Sequence, residues 1–200
     1  MTRVSLPSFV PLLAAGLLLA PPPAQAQVSI SGPVTPQSRA LTTWFHHHIP
    51  VRFGPRDRFE VYPLSDAAME AYLYVDNAGG DSDENSHQDD GEIDGIFESG
   101  PPRITLRVPA TGLPDMYTFA HEYGHYVWFN ILSGDDRRRY RKLYDKQKDA
   151  HRLVTRYAET DAEEGFAEAF SFYVCQPPVL QRRDGLSYQF LSQWPAPPAP

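Results

Sequence analysis

Five residues near the middle of this 200-residue chain, His121-Glu122-Tyr123-Gly124-His125, restrict its fold more than anything else in the sequence. On an α-helix, positions four apart share one face, so both imidazoles can bind one metal ion. Glu122 lies about 100° further round the helix, beside such an ion without capping it. A carboxylate there can take a proton from water that the ion has acidified. The flanks agree with a helix: Pro114 and Asp115 are start signals, and Ser133-Gly134 is a stop just beyond Leu132. A catalytic zinc takes three protein ligands and leaves one position open, so the chain must supply a third ligand elsewhere.

The sequence narrows where that ligand lies. A third His six residues after His125, with a Gly three residues after it, would mark one common pattern, but Ile131 and Trp128 stand there. A Glu about twenty residues downstream would mark another, yet none occurs between Tyr126 and Ala158. The remaining acids cluster in Glu159-Thr160-Asp161-Ala162-Glu163-Glu164-Gly165-Phe166-Ala167-Glu168, at the start of a helix predicted from Thr160 to about Cys175. Thr160 and Glu163 have the spacing of a capping box, which would commit Glu163 to the backbone. Glu164, Glu168 and Ser171 fall within about 60° of one another on the helical wheel, opposite Phe166, Ala169, Phe170 and Tyr173. We therefore expect Glu164 as third ligand and Glu168 as the group that orients a histidine through its other ring nitrogen. Tyr157, just before this helix, can reach the open side of the metal and donate to a developing oxyanion.

The rest of the chain reads as one domain, 27–194, between two segments with no core of their own. Arg3, an apolar run from Phe9 to Ala20 and the small-x-small site Ala24-Gln25-Ala26 describe a signal peptide, 1–26. Its run is too short to span a bilayer, and no other stretch approaches twenty apolar residues, so the mature protein is expected to be secreted or periplasmic, with no membrane span. Residues 195–200 are a proline-rich tail. Gln27–Gln37 reads as a loose lead-in, Ser38–His48 as a helix, Phe59–Tyr62 as a strand and Asp66–Tyr74 as a helix. Asp76–Glu92 is almost wholly polar and reads as an acidic surface loop. Five of its residues match calcium-loop positions, but Ser86 and Gln88 break that pattern and Gly79-Gly80 preclude an entering helix, so solvation is the expectation. Ile93–Phe97 and Ile104–Val108 flank a turn cluster and read as a hairpin. A basic helix is expected from Asp135 to about Arg156, and a last short one from Ser187 to Trp194.

Charge excludes partners rather than naming one. Eighteen Lys and Arg against 25 Asp and Glu give a net charge of −7, and removing the leader takes away only Arg3, so the balance stays acidic. Phosphate backbones and anionic lipid attract the opposite sign, which argues against nucleic acid and membrane surfaces. The one cysteine, Cys175, cannot form an intramolecular disulfide.

His-Glu-x-x-His, followed by a Tyr seven residues before a Glu in the context Glu-Gly-Phe-Ala-Glu-Ala-Phe, resembles the catalytic domain of the anthrax lethal factor and proline-proline endopeptidase family of zinc metallopeptidases, over roughly Ile93 to Trp194. The resemblance implies Zn2+ held by His121, His125 and Glu164 in a gluzincin-type site, with Glu122 and Tyr157 catalytic. It also implies an α+β fold: a small zincin-like metallopeptidase domain whose short sheet has an edge strand packed on the metal-binding helix, followed by a helical half. In that family the strand before the metal helix, here Ile104–Val108, would pair with extended substrate. The expected protein is a secreted, monomeric zinc endopeptidase acting on a peptide or protein substrate, proline-rich sequences included. Its rivals are a non-catalytic, zinc-stabilised extracellular binding module and a calcium-dependent interaction protein.

Overall fold

Short runs of β-branched and aromatic residues between turn signals favour strands, and the computed structural model, which describes residues 28–30, 34–56, 59–79, 86–89 and 92–195, gathers them into one five-stranded sheet. The strands are β1 (Val28–Ile30), β2 (Phe59–Leu64), β3 (Ser86–Asp89), β4 (Glu92–Ser99) and β5 (Pro102–Arg107), in the order β1-β2-β5-β4-β3. β1 and β5 run parallel to β2, whereas β4 is antiparallel to both β5 and β3. Phe59, Val61, Ile104, Leu106 and Phe97 are buried, which fixes the face each strand turns inward.

Three sequence expectations change here. The lead-in carries β1, whose backbone pairs with β2 through Val28–Phe59 and Ile30–Val61. The strand expected to receive substrate is central: β5 is bonded to β2 on one side and β4 on the other, so its backbone groups are already used. The acidic segment 76–92 is not all loop, since α2 (Asp66–Gly79) runs into it and β3 forms the sheet edge within it. Backbone pairing needs no apolar side chains, and a polar, charged edge strand resists unwanted pairing. Residues 1–26, 80–85, 90–91 and 196–200 lie outside the described residues, and with them the leader, three of the five calcium-spaced residues (Asp81, Asp83 and Asn85) and nearly all of the tail.

Below the sheet lies α3 (Met116–Tyr126), buried without interruption from Thr118 to Tyr126. Asp115 caps it, accepting from Tyr117 N at 2.8 Å and from the Thr118 hydroxyl at 2.9 Å. The helix widens into a π-turn, Val127–Ile131, before Ser133 ends it and caps α4 (Gly134–Asp149). α4 stops short of the expected Arg156: His151 takes a φ of 52°, and the chain turns to bury Leu153 and Val154. α5 (Ala162–Cys175) packs on the side of α3 away from the sheet. Behind it come α6 (Pro177–Arg183), which uses Pro177 at its first turn, and α7 (Gly185–Gln193). α1 (Pro36–His48) closes the other end of the core, with Phe45 edge-on to Tyr123 at 5.0 Å. Among the described residues, no helix is long and apolar enough to cross a membrane.

α3 and α5 approach closely because of one residue. A Cβ on Gly124 would lie 2.7 Å from Ala167 Cα and 3.2 Å from its carbonyl oxygen, so only glycine permits this crossing. The basic expectation for α4 holds as a solvated face: Arg138, Arg139, Arg141 and Lys142 are exposed, while Tyr140, Tyr144 and Gln147 point inward. Tyr140 ties α4 to α5 by donating to the Gly165 carbonyl at 2.9 Å.

Candidate metal centre

The close crossing of α3 and α5 puts the sequence-selected residues together. His121, Glu122 and His125 are 0% exposed, Glu164 3% and Glu168 2%. Buried charges at this depth require partners or a metal. His121 Nε2 and His125 Nε2 stand 3.2 Å apart, and Glu164 Oε2 lies 3.2 Å from the first and 3.6 Å from the second.

Hydrogen bonds on the far side of each ring settle what those three atoms are. His121 Nδ1 donates to Glu168 Oε1 at 2.9 Å, and His125 Nδ1 donates to Glu163 Oε1 at 3.2 Å. A neutral imidazole that donates from Nδ1 presents a lone pair at Nε2. Two lone pairs at 3.2 Å repel, and the nearby Glu164 Oε2 makes no hydrogen bond. A cation between them resolves all three. Ligands about 2.05 Å from a tetrahedral zinc lie roughly 3.3 Å from one another, close to the observed 3.2, 3.2 and 3.6 Å. The residues present therefore fit a zinc ion. Without one, burial depresses His121, but the adjacent carboxylates of Glu164, Glu168 and Glu122 overcome it and push the imidazole up to about 10, so that a proton takes the place a metal cation would fill.

The groups behind the ligands are held in turn. Glu168 Oε2 accepts from the Thr155 hydroxyl at 2.6 Å and from the Tyr117 phenol at 3.2 Å, so the carboxylate that aims His121 is itself fixed. Glu163 is not spent on the backbone. Asp161, rather than Thr160, caps α5, accepting from Glu163 N at 2.7 Å and Glu164 N at 3.0 Å, while the Thr160 hydroxyl donates to the Tyr157 carbonyl. Aspartate is at least as good a cap as threonine, and moving the cap by one residue frees Glu163 to face His125. That Asp161 competes for the cap is visible in the sequence, and it was the signal for Glu163. Thr155 lies in irregular chain after α4, where no periodicity points to it.

Tyr157 opens a single 3-10 turn, Tyr157–Glu159, half-buried with its ring 5.9 Å from that of His121. Burial, then the charges of Glu164 and Glu122, push its phenol well above the usual tyrosine range, so it stays a donor. On the sheet side, Phe97 of β4 stacks on His125 at 6.4 Å and on Phe129 at 6.0 Å. His46, His47 and His48 are exposed on α1, and Cys175 is half-buried and free. Among the described residues, His121, His125 and Glu164 form the group able to hold a metal.

No sequence-family profile matches this chain, and no curated protein does. Among solved structures it is similar to the PRO-PRO endopeptidase PPEP-2 from Paenibacillus alvei, with a TM-score of 0.51 over 83% of this chain and 96% of that one, at 14% sequence identity. The likeness is one of fold: this chain has the α+β fold of a small zincin-like peptidase domain, a short sheet packed on the buried helix of the candidate metal centre and a helical half behind it.

Proposed function

We propose that this chain is an exported zinc metalloendopeptidase related to the lethal factor and proline-proline endopeptidase family. Its leader would be removed near Ala26, and it would act as a monomer on peptide or protein substrates outside the cytoplasm. The observation that carries the reading is the convergence of three metal-ligating atoms, from His121, His125 and Glu164, next to a carboxylate, Glu122, that the ligand set does not need. A metal-stabilised binding module has no use for that carboxylate, nor for a phenol kept protonated beside it. The fold likeness to an endopeptidase supports the same class.

A zinc ion held by His121, His125 and Glu164 would supply a Lewis acid that acidifies water and polarises the scissile carbonyl. Glu168 and Glu163 hold the two imidazoles in the tautomer that ligation requires. Glu122 takes the proton from the attacking water as its oxygen bonds to the carbonyl carbon. It then returns that proton to the amide nitrogen as the C–N bond breaks. Tyr157 donates to the oxyanion that forms between those two events. Burial of His121, Glu122, His125, Glu164 and Glu168 keeps bulk water from screening their charges.

The test is mass-spectrometric profiling of a broad peptide library, proline-rich sequences included, with the zinc-loaded mature protein and its Glu122→Gln variant. Cleavage by the first alone, with zinc retained in both, is the expected result. Equal cleavage by the two, or none by a zinc-loaded wild type, would refute the reading.

A further inference from the structure

β4 meets α3 at a residue with no side chain. Gly95 is buried, and a Cβ built on it would stand 2.7 Å from Glu122 Cγ, 2.9 Å from Glu122 Oε1 and 2.8 Å from Thr118 Cγ2. Contacts below 3.0 Å do not occur for real Cβ atoms, so an alanine would have to displace Glu122, Thr118 or the strand. Glycine is not there for its backbone freedom: among the described glycines, only Gly112 has a positive φ. Space is the reason. Alternation along the strand turns Gly95 and Phe97 to the same side, so β4 presents one bare position to Glu122 and, two residues on, a ring to His125.

The local irregularity of β4 serves the same contact. His87 pairs with Gly95 but Gln88 pairs with Ile93, so Asp94 is an extra residue, a β-bulge directly before Gly95. Arg107, across the sheet on β5, pins that bulge. Its Nε and Nη2 donate to the Ile93 carbonyl at 3.2 and 3.1 Å, and it pairs with Asp94 at 3.1 Å and Glu70 at 2.7 Å. The position of Gly95 against α3 is therefore set by a clamped segment of sheet.

We propose that Gly95 is a positioning residue: its missing side chain, held against α3 by the bulge that Arg107 clamps, is the slot that fixes the Glu122 carboxylate. Glutamate has three side-chain torsions, and a general base must sit within hydrogen-bond reach of the proton it takes. Walls on the sheet side remove the rotamers that would swing it away. The effect on turnover rests on the peptidase reading; the slot itself does not.

The experiment separates the two. Gly95→Ala is made in a Thr118→Ser background, which removes the methyl at 2.8 Å and keeps the hydroxyl that donates to Asp115, the cap of α3. It is then compared with Glu present and with Glu122→Ala, as metal-free full-length mature protein, by urea denaturation. The slot predicts a clear drop in unfolding midpoint with Glu122 and a much smaller one with Ala at 122. Equal drops, or failure to fold whichever residue occupies 122, overturn it. On the zinc-loaded enzyme, Gly95→Ala should lower kcat by about tenfold or more, with KM within about twofold and zinc content unchanged, as misplacing a reacting group by a fraction of an ångström does. An unchanged kcat in an enzyme whose wild type turns over also overturns it. If the wild type cleaves nothing, the peptidase reading falls, and the unfolding comparison alone decides the slot.

Discussion

Gly124→Ala is the most direct probe of how the two helices that carry the candidate metal ligands are spaced. The new Cβ would meet Ala167 Cα at 2.7 Å, and ordinary contact begins near 3.4 Å, so α3 and α5 must part by at least about 0.7 Å. Ala167 offers backbone there, which cannot rotate away. His121 and His125 flank Gly124 on one helix, Glu164 and Glu168 flank Ala167 on the other, so the displacement falls on the ligand set. Metal–ligand distances tolerate about 0.2 Å. Overpacking costs about 1–3 kcal/mol, and alanine recovers about 0.8–1.0 kcal/mol of helix propensity, so the variant should still fold. Its zinc affinity should fall by at least the roughly 10–100-fold that disturbing a metal's supporting groups costs. Competition against a chromophoric chelator measures the affinity, and urea denaturation of the metal-free protein measures the fold. Adding Ala167→Gly removes only the 3.3 Å contact with Ala167 Cβ and should recover little. A folded Gly124→Ala variant with wild-type zinc affinity would refute the argument that this crossing sets the ligand geometry.

Three other outcomes follow from the same site. Glu163→Gln and Glu168→Gln should each weaken zinc binding by about 10–100-fold, with Glu168 the larger because it also gathers Thr155 and Tyr117; chelator competition would expose an inert Glu163 as affinity equal to wild type. Tyr157→Phe should lower kcat by about 100–1,000-fold with zinc retained, as losing one oxyanion donor does; an unchanged kcat would remove Tyr157 from the mechanism. Because His121 is raised from 6.5 to about 10 in the metal-free fold, its contribution to stability is full below pH 6.5 and is lost as pH rises through about 10. Zinc must displace that proton, so binding at pH 8 should release a proton and tighten with pH, seen by calorimetry in buffers of different ionisation enthalpy; binding without proton release would contradict the assignment.

What the sequence disclosed was what short-range physics determines. The spacing of His121 and His125 and the wheel of Glu164 and Glu168 are helical facts, and the crossing of α3 and α5 places all four around one point. Glu163 was misassigned because two capping residues, Thr160 and Asp161, stand side by side and only the backbone path chooses between them. The sheet was harder. β5 is central and β3 is an edge strand because of long-range pairing, and the composition of Ser86–Asp89 carries no apolar alternation to announce a strand. Gly95 reads as an ordinary strand glycine until α3 is laid against it.

The burial of α3 on all sides has a thermodynamic consequence. A cation bound between α3 and α5 is a cross-link inside the core, and its binding energy becomes folding energy. Mass action then adds about 2.7 kcal/mol of stability at a free ion concentration one hundred times the dissociation constant, and about 4.1 kcal/mol at a thousand times. Such increments are a large part of what holds a domain of this size together. With zinc as the proposed ion, persistence of the fold would be tied to the zinc supply of the compartment in which the chain resides, and scarcity of the ion would shorten the protein's lifetime as well as silence the proposed chemistry.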